Sequence, residues 1–305
     1  MFSGLRCLLT GLEQLVEDSQ NIQSHLKFAK PMTLAAADKE AFQKATCCWI
    51  CEKPLGIERV CDHDQDHLDG KYCGAAHNDC NLNLNDKHWK LPVFLHNGKH
   101  FDFHYIASLL PLVSRKFDPI SQNFEKLTCI TADNLVFRAS CNHMLTSLDK
   151  WVKSTKSSEP LNLTETYFRD EYDEYDEYDE YAASLILQKG FYPYGWVTSR
   201  HRFESRDGLP PPEEFASELS GSGGLSAEQY AHACLVNDEM GCDSFSDYNT
   251  TYLISDVLLL TDCFEVYRRS AVSHYGLDPA RFPTAPSFAW GVPACTRRAR
   301  RWSDS

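Results

Sequence analysis

The stretch from Cys48 to Asn81 carries the densest set of side chains that could bind a metal or activate water. A Cys-x-x-Cys pair stands at Cys48 and Cys51, and a His-x-x-Cys pair follows at His77 and Cys80. Thiolates and imidazole are ligands that zinc prefers, and two pairs at this spacing can converge into a tetrahedral site. The sequence therefore predicts one structural zinc ion, with the first pair on a tight turn and the second at a helix start.

A second kind of chemistry is suggested by Asp62 and His63 between the two pairs, and by Asn81 directly after the last ligand. Carboxylate and amide oxygens suit a hydrated Mg²⁺ or Mn²⁺ ion, and a neighbouring histidine can take a proton from water. These three side chains predict a one-metal hydrolytic site held in place by the zinc-bound fold.

These residues together resemble the endonuclease VII branch of HNH nucleases, in particular the form fused to protein-primed B-type DNA polymerases of viruses and mobile elements. The likeness extends over 70–81, which reads Gly-Lys-Tyr-Cys-Gly-Ala-Ala-His-Asn-Asp-Cys-Asn. It implies a small zinc-stabilised ββα-metal domain over 44–90, with zinc on the Cys/His set. It also implies that Asp62 and Asn81 bind the catalytic metal and that His63 activates water.

Two alignments with that family leave the identity of the base open. The family reads Asp-His-Asp-His directly before a Leu-Thr-Gly turn, whereas the corresponding run here is two residues longer. Anchoring on Val60 makes His63 the base, and anchoring on Gly70 places Gln65 there, which cannot take the proton. We favour His63, because the strand entering the site should carry Val60 and then the metal-binding aspartate.

A second constellation begins after the zinc segment, where 93–95 reads as a strand and 101–110 as a helix. Asn97 and Asp102 lie between that strand and the helix start, where α/β sheets place their sites. Far downstream, Tyr252 and Asp256 are four residues apart and are therefore neighbours on a predicted helix. An acid among leucines and valines is costly unless it is paired or binds a metal.

The order Asn-x-x-x-Phe-Asp and then Tyr-x-x-x-Asp resembles the second and third motifs of the 3′–5′ proofreading exonuclease in B-type DNA polymerases. The resemblance implies a ribonuclease-H-like α/β domain over 91–270. Within it, Asp102 and Asp256 would bind the catalytic Mg²⁺ or Mn²⁺, Tyr252 would orient the attacking water, and Asn97 would touch the DNA strand.

Two shorter segments agree with that family. Ser147 and Leu148 resemble its single-strand DNA motif, which implies that both contact DNA. Lys189 and Tyr194 resemble its catalytic lysine and its strand-contacting tyrosine. The first exonuclease motif, Asp-x-Glu on a strand, is matched in letters only by Asp38-Lys39-Glu40, inside a predicted helix over 35–45. We therefore expect 3′–5′ trimming to be feeble or absent.

The composition bounds the remaining possibilities. The net charge of −13 is unusual for a DNA-binding protein, but the Asp-Glu-Tyr repeat over 170–181 contributes eight acids. We expect that self-repelling repeat to be a disordered insertion. Thirteen cysteines predict a reducing, intracellular location, nuclear or cytoplasmic. The leader over 1–43 should be helical, with an amphipathic helix over 5–17, and no segment reads as a membrane span.

The combined expectation is a mixed α/β (α+β) protein, the amino-terminal nuclease part of a B-type DNA polymerase. Its last segment, 271–305, resembles a truncated join into the polymerase palm, so we expect no primer extension. The expected partners are DNA and either a terminal protein or the missing palm, with no membrane and no small-molecule substrate. The alternative is a catalytically inactive, zinc-stabilised remnant that binds DNA or protein.

Overall fold

The computed structural model describes most of the chain and shows a mixed α/β protein. The described residues are 2–27, 30–49, 51, 53–55, 61–65, 70–83, 90–99, 101–123, 126–172, 180–216 and 223–292. The chain divides into two compact units, Met1–Ala139 and Ser140–Ser305. Within the described ranges, no helix is long and apolar enough to cross a lipid bilayer.

The first unit contains two sheets and four helices among its described residues. Its elements are α1 Phe2–Lys27, α2 Ala36–Lys44, β1 Cys61–Gln65, β2 Tyr72–His77, α3 Asn78–Asn83, β3 Leu91–Leu95, α4 Asp102–Val113, β4 Phe117–Asn123, β5 Lys126–Ala132 and β6 Leu135–Ala139. The helices predicted over 5–17, 35–45 and 101–110 and the strand predicted over 93–95 are confirmed, with bounds that shift by a few residues or, for α1, extend much further.

The larger sheet is mixed and small. Its strand order is β3-β6-β5-β4, with β3 parallel to β6 and the remaining pairs antiparallel. Helix α4 buries Phe103, Ile106 and Leu110, which share one face at a spacing of three and four residues. This apolar face packs against β5, so the sheet and α4 form the core of the first unit.

The second unit is helical in its described part. Its α-helices include α5 Leu148–Lys156, α6 Asn162–Tyr172, α7 Glu180–Ile186, α8 Ala227–Glu239 and α9 Phe245–Tyr275. Helix α9 confirms the predicted helix around Tyr252. It begins at a capping box between Ser244 and Asp247 and ends at Gly276, whose positive φ of 67° suits a glycine.

Buried Asp262 of α9 holds α6 in place. Its carboxylate accepts hydrogen bonds from the backbone N–H groups of Leu163 and Thr164 at 3.0 and 2.9 Å, and from the Thr164 hydroxyl at 2.7 Å. These are N–H groups that the first turn of a helix cannot satisfy itself. Helix α9 therefore caps α6 and serves as the spine of this unit.

Two predicted boundaries differ from the structure. The segment 170–181, which we expected to be disordered, begins inside α6 and ends inside α7. The prediction is therefore wrong at both ends, where the helices continue, and 173–179 lie outside the described residues. The division after Ala139 falls within the region 91–270 that was expected to be one exonuclease-like domain.

Candidate metal centre and candidate DNA site

The candidate metal centre is built on a ββα backbone. Strands β1 and β2 pair antiparallel, with Cys61 opposite His77, Asp62 opposite Ala76 and His63 opposite Ala75. Helix α3 follows β2 without a linker, so the His-x-x-Cys pair spans the strand end and the first turn of the helix, as predicted.

The candidate catalytic residues of the hairpin are placed by their backbone alone. His63 lies in the regularly paired part of β1, and the pairing shifts between Asp64 and Gln65. The side chains of Asp62, His63 and Asn81 lie outside the described residues. The choice between His63 and Gln65 as base therefore stays open.

The Cys-x-x-Cys turn is fixed against β2. The Cys48 N–H donates to the Lys53 carbonyl at 2.9 Å, and the Trp49 N–H donates to the Ala75 carbonyl at 3.0 Å. A Cβ atom at Gly74 would lie 2.6 Å from Cγ of Trp49, so only glycine lets the turn approach the strand this closely. The turn thus brings its two thiols to the end of β2.

Four potential ligands meet there. The ligand atoms of Cys48, Cys51, His77 and Cys80 all lie within 4.8 Å of one another, and this is the only such group of three or more among the described residues. Nδ1 of His77 is 3.3 Å from Sγ of Cys51 and 3.7 Å from Sγ of Cys80. Zinc bond lengths give an S-to-N edge of about 3.6 Å in a tetrahedral site.

The imidazole of His77 is oriented by its second nitrogen. Nε2 lies 3.1 Å from the Pro54 carbonyl oxygen, and since a carbonyl only accepts, Nε2 carries the proton. Nδ1 is then left with a free electron pair directed at the thiols, the arrangement common to metal-bound histidines. The backbone N–H of His77 also points to Sγ of Cys48, at 3.4 Å.

The electrostatics of the four ligands favour a cation. The pKa of the Cys80 thiol is raised from 9.0 to about 11, first by its hydrogen bond to Cys51 and further by partial loss of water and by Cys48. Adjacent thiolates repel one another, and a divalent cation removes that repulsion. The donor set, its spacing and its second-nitrogen contact fit zinc, so the cluster could hold such a metal.

The second site joins residues from two distant parts of the chain. Nζ of Lys189 donates to Oδ2 of Asp256 at 2.5 Å and to the hydroxyl of Tyr252, across 67 and 63 residues of sequence. The hydroxyl groups of Tyr194 and Tyr252 lie 2.8 Å apart. Two pairs of residues that were singled out in separate motifs therefore converge; together they are called the Lys189 cluster below (Lys189, Tyr194, Tyr252 and Asp256).

The loop after α7 is fastened to α9 by two tyrosines. The hydroxyl of Tyr192 donates to Oδ1 of Asn249 at 2.7 Å, and that of Tyr248 donates to the Phe191 carbonyl at 2.6 Å. A Cβ atom at Gly190 would lie 3.1 Å from the Tyr252 ring, so the chain approaches α9 closely just after Lys189. These contacts set the position of the lysine.

Burial shapes the charges of the Lys189 cluster. Loss of water lowers the pKa of Lys189, and the nearby Asp256 carboxylate opposes that shift. Burial also raises the pKa of the Tyr252 hydroxyl, so this group stays protonated. Tyr194, by contrast, is 64% exposed.

One oxygen of the Lys189 cluster is unsatisfied. Oδ1 of Asp256 is buried and has no hydrogen-bond partner among the described residues. Buried carboxylate oxygens normally have a donor or a cation, so this atom could be one ligand of a divalent metal. The cluster supplies a single carboxylate, whereas two-metal hydrolysis needs bridging carboxylates for a pair of ions.

The remaining predicted residues belong to other elements of the chain. Asp102 is the first residue of α4 in the first unit, where loss of water raises the pKa of its carboxyl, and Asn97 follows β3. In the second unit, Ser147 caps α5 by accepting from the Lys150 N–H at 3.4 Å, and Leu148 is buried. Both of these have structural roles, and the predicted DNA contacts stay predictions.

Sequence reasoning missed three supporting groups: the Pro54 carbonyl, Tyr192 and Asn249. The position of Tyr192 in the same aromatic run as Tyr194 was a usable signal. No signal pointed to Pro54 or Asn249, because their contacts arise from the tertiary structure.

Comparison with known proteins does not assign the chain to a family. No family model, curated protein or solved structure matches this chain. The resemblance to polymerase-linked nucleases therefore rests on the sequence motifs alone.

Proposed function

We propose that the chain is the amino-terminal nuclease part of a B-type DNA polymerase, which binds DNA and hydrolyses phosphodiester bonds with a divalent metal. The observation that carries the DNA-binding part of the proposal is the convergence of Lys189, Tyr194, Tyr252 and Asp256, and the main hydrolytic activity is assigned to the hairpin of the first unit. Each was expected to act in a 3′–5′ exonuclease site, and nothing local in the sequence requires the pair Lys189 and Tyr194 to meet the pair Tyr252 and Asp256.

Each member of the Lys189 cluster has a role that follows from its surroundings. The exposed ring of Tyr194 can stack on a base of single-stranded DNA, which needs no metal. The ammonium of Lys189 can attract a phosphate, and the Tyr252 hydroxyl can hold a water beside it. Asp256 would ligate Mg²⁺ or Mn²⁺ through Oδ1, and that ion would stabilise charge developing on the phosphate when bound.

Binding of a labelled single-stranded oligonucleotide by the full chain tests this proposal. We expect binding that weakens as salt rises, and a loss of about 5- to 150-fold in Tyr194→Ala, from roughly 1–3 kcal/mol per stacked base. Tyr105→Ala, another exposed tyrosine in the first unit, is the matched control. Absence of binding at low salt, or equal loss in both variants, would overturn the proposal.

Trimming of the same oligonucleotide separates binding from catalysis. With one carboxylate in the Lys189 cluster, we expect the 3′ end to stay largely intact in Mg²⁺ or Mn²⁺. Processive trimming that disappears in Asp256→Ala would show that a further carboxylate completes the site.

A second candidate activity is nicking of duplex DNA by the hairpin of the first unit. The ββα backbone and the converged Cys/His ligands favour it. We expect weak nicking of supercoiled plasmid in Mg²⁺ or Mn²⁺ that His63→Ala abolishes and Gln65→Ala leaves unchanged. If Gln65→Ala abolished nicking and His63→Ala did not, the alignment anchored on Gly70 would be the correct one. His63 would then not be the base.

The alternative is a zinc-stabilised DNA-binding remnant without catalysis. The single carboxylate of the Lys189 cluster favours this alternative. It predicts oligonucleotide binding with neither trimming nor nicking in either metal, so the same two assays distinguish it from a nuclease.

A further inference from the structure

A positive and aromatic segment follows directly after the loop of the Lys189 cluster. Residues 196–206, here the arginine segment, read Trp-Val-Thr-Ser-Arg-His-Arg-Phe-Glu-Ser-Arg. This stretch contains three arginines and one glutamate, although the net charge of the whole chain is −13. Arg200, Arg202 and Arg206 are all exposed. A local excess of positive charge in an acidic chain needs a physical reason.

The arginine segment is held on the first turn of α9. The carbonyl of Ser205 accepts from the Phe245 N–H at 2.9 Å. The ring of Phe245, which is buried, lies 4.9 Å from the Trp196 ring and 5.9 Å from the Phe203 ring, centroid to centroid. The segment therefore has a fixed place on the same helix that carries Tyr252 and Asp256.

Aromatic rings connect the arginine segment to the Lys189 cluster without a break. The Tyr192 ring lies 5.8 Å from Phe245, 4.7 Å from Tyr252 and 4.9 Å from Tyr194, between centroids. With Trp196 on the far side of Phe245, the series runs from the cluster to the segment. Phe245 and Tyr252 are buried, so this series of rings fixes the segment next to the cluster and does not itself stack on bases.

The charges of the arginine segment are arranged for an anionic chain. The Arg202 guanidinium lies 4.5 Å from the Trp196 ring centre, which orients it by a cation–π contact. The single acid, Glu204, lies beside Nδ1 of His201 at 3.5 Å. Among the described residues, none of the three arginines forms an ion pair with an acid, so each can meet a phosphate of one strand.

We propose that the arginine segment extends the single-stranded DNA site, by binding the phosphates of nucleotides beyond those held at Tyr194. The inference rests on the proposed function, since it assumes that a strand enters at the Lys189 cluster. The strand would run from the cluster along the start of α9, and Arg200, Arg202 and Arg206 would bind its phosphates.

Oligonucleotides of two lengths test the inference in the full chain, in EDTA so that nothing is cut. A thymidine oligomer of about four nucleotides should fill only the Tyr194 end, and one of about twelve should reach the segment as well. In Arg200→Gln plus Arg206→Gln, we expect the longer oligomer to bind about 10-fold more weakly. The slope of log affinity against log salt should fall by about 1.4, or about 0.7 per lost phosphate contact.

The matched control is Arg115→Gln plus Arg269→Gln, which removes the same charge from exposed positions outside the segment. The short oligomer should bind the wild type and both double variants within about twofold, since it does not reach the segment. Arg202→Gln, which also removes the contact with Trp196, should weaken the longer oligomer selectively.

The other possible results distinguish a failure of this inference from a failure of the proposed function. If both lengths bind and the Arg200/Arg206 variant matches the control, the inference is wrong and the proposed function stands. If that variant weakens both lengths equally, the arginines act through general charge and the inference is again wrong. If the wild type binds neither oligomer, both the inference and the proposed function fall.

Discussion

The Cys/His ligands of the first unit come from 48–80 of the sequence, whereas the Lys189 cluster joins residues up to 67 apart. The first site gathers thiols that repel one another once ionised and holds no positive side chain among its ligands. The second places a lysine against its aspartate. We therefore expect the first site to need a metal for its stability, whereas the ion pair of the second site forms without one.

Loss of zinc should have the largest effect, and it should be confined to the first unit. Structural zinc in small domains contributes about 10–16 kcal/mol, so Cys51→Ala plus Cys80→Ala should lose the metal and the fold of the hairpin. Elemental analysis should find about one zinc per wild-type chain and none in the variant. Hydrogen exchange should then show an unprotected β2 and a still protected α9.

Cys7→Ala plus Cys234→Ala is the control for that experiment, since both thiols lie outside the ligand set. It should keep its zinc. Full zinc in the Cys51/Cys80 variant, or a wild type without zinc, would remove the contrast between the two sites.

Removal of Lys189 should have the next largest effect, in the second unit. Lys189→Ala leaves Asp256 as an unpaired and mostly buried charge, which should lower the free energy of unfolding by about 2–3 kcal/mol. Adding Asp256→Asn should restore part of that loss. Denaturant titration followed by a probe in α9 measures both.

Lys153→Ala supplies the comparison, because Lys153 also pairs with an aspartate but is 67% exposed. It should cost less than about 1 kcal/mol. Equal effects of the two lysine variants would mean that the Lys189 pair contributes no more than a surface pair.

A smaller effect should follow from alkaline pH. Burial raises the pKa of Tyr248 above its ordinary value near 10, so the unfolded chain loses this proton at lower pH than the folded chain. The folded state then binds more protons, and stability should fall as pH rises beyond about 10. Tyr248→Phe should reduce that slope, while losing about 1 kcal/mol at neutral pH with its hydrogen bond to Phe191.

Tyr105→Phe is the control for the pH series, because Tyr105 is more than half exposed. It should leave the slope unchanged. A stability of α9 that stays constant or rises above pH 10 would contradict the protonation argument.

The sequence was sufficient where one local pattern determines the structure. The spacing of Cys48, Cys51, His77 and Cys80 predicted the ligand set, since a turn and a helix start impose that geometry. Apolar periodicity predicted α1, α4 and the middle of α9.

The sequence was insufficient where a contact depends on the tertiary structure. The ion pair between Lys189 and Asp256 could not be derived from periodicity, because the fold brings the loop after α7 onto α9. The prediction of disorder was wrong at both ends of the acidic repeat, because α6 and α7 continue into it. Packing in the tertiary structure can override local charge repulsion.

Photocrosslinking of a halogenated single-stranded DNA to the full chain shows whether Tyr194 touches DNA, because it reports which residue contacts a base. We expect an adduct on the peptide with Tyr194, abolished in Tyr194→Ala and unchanged in Tyr105→Ala. Adducts confined to the first unit, or no adduct at low salt, would contradict the assignment of the Lys189 cluster as a DNA site.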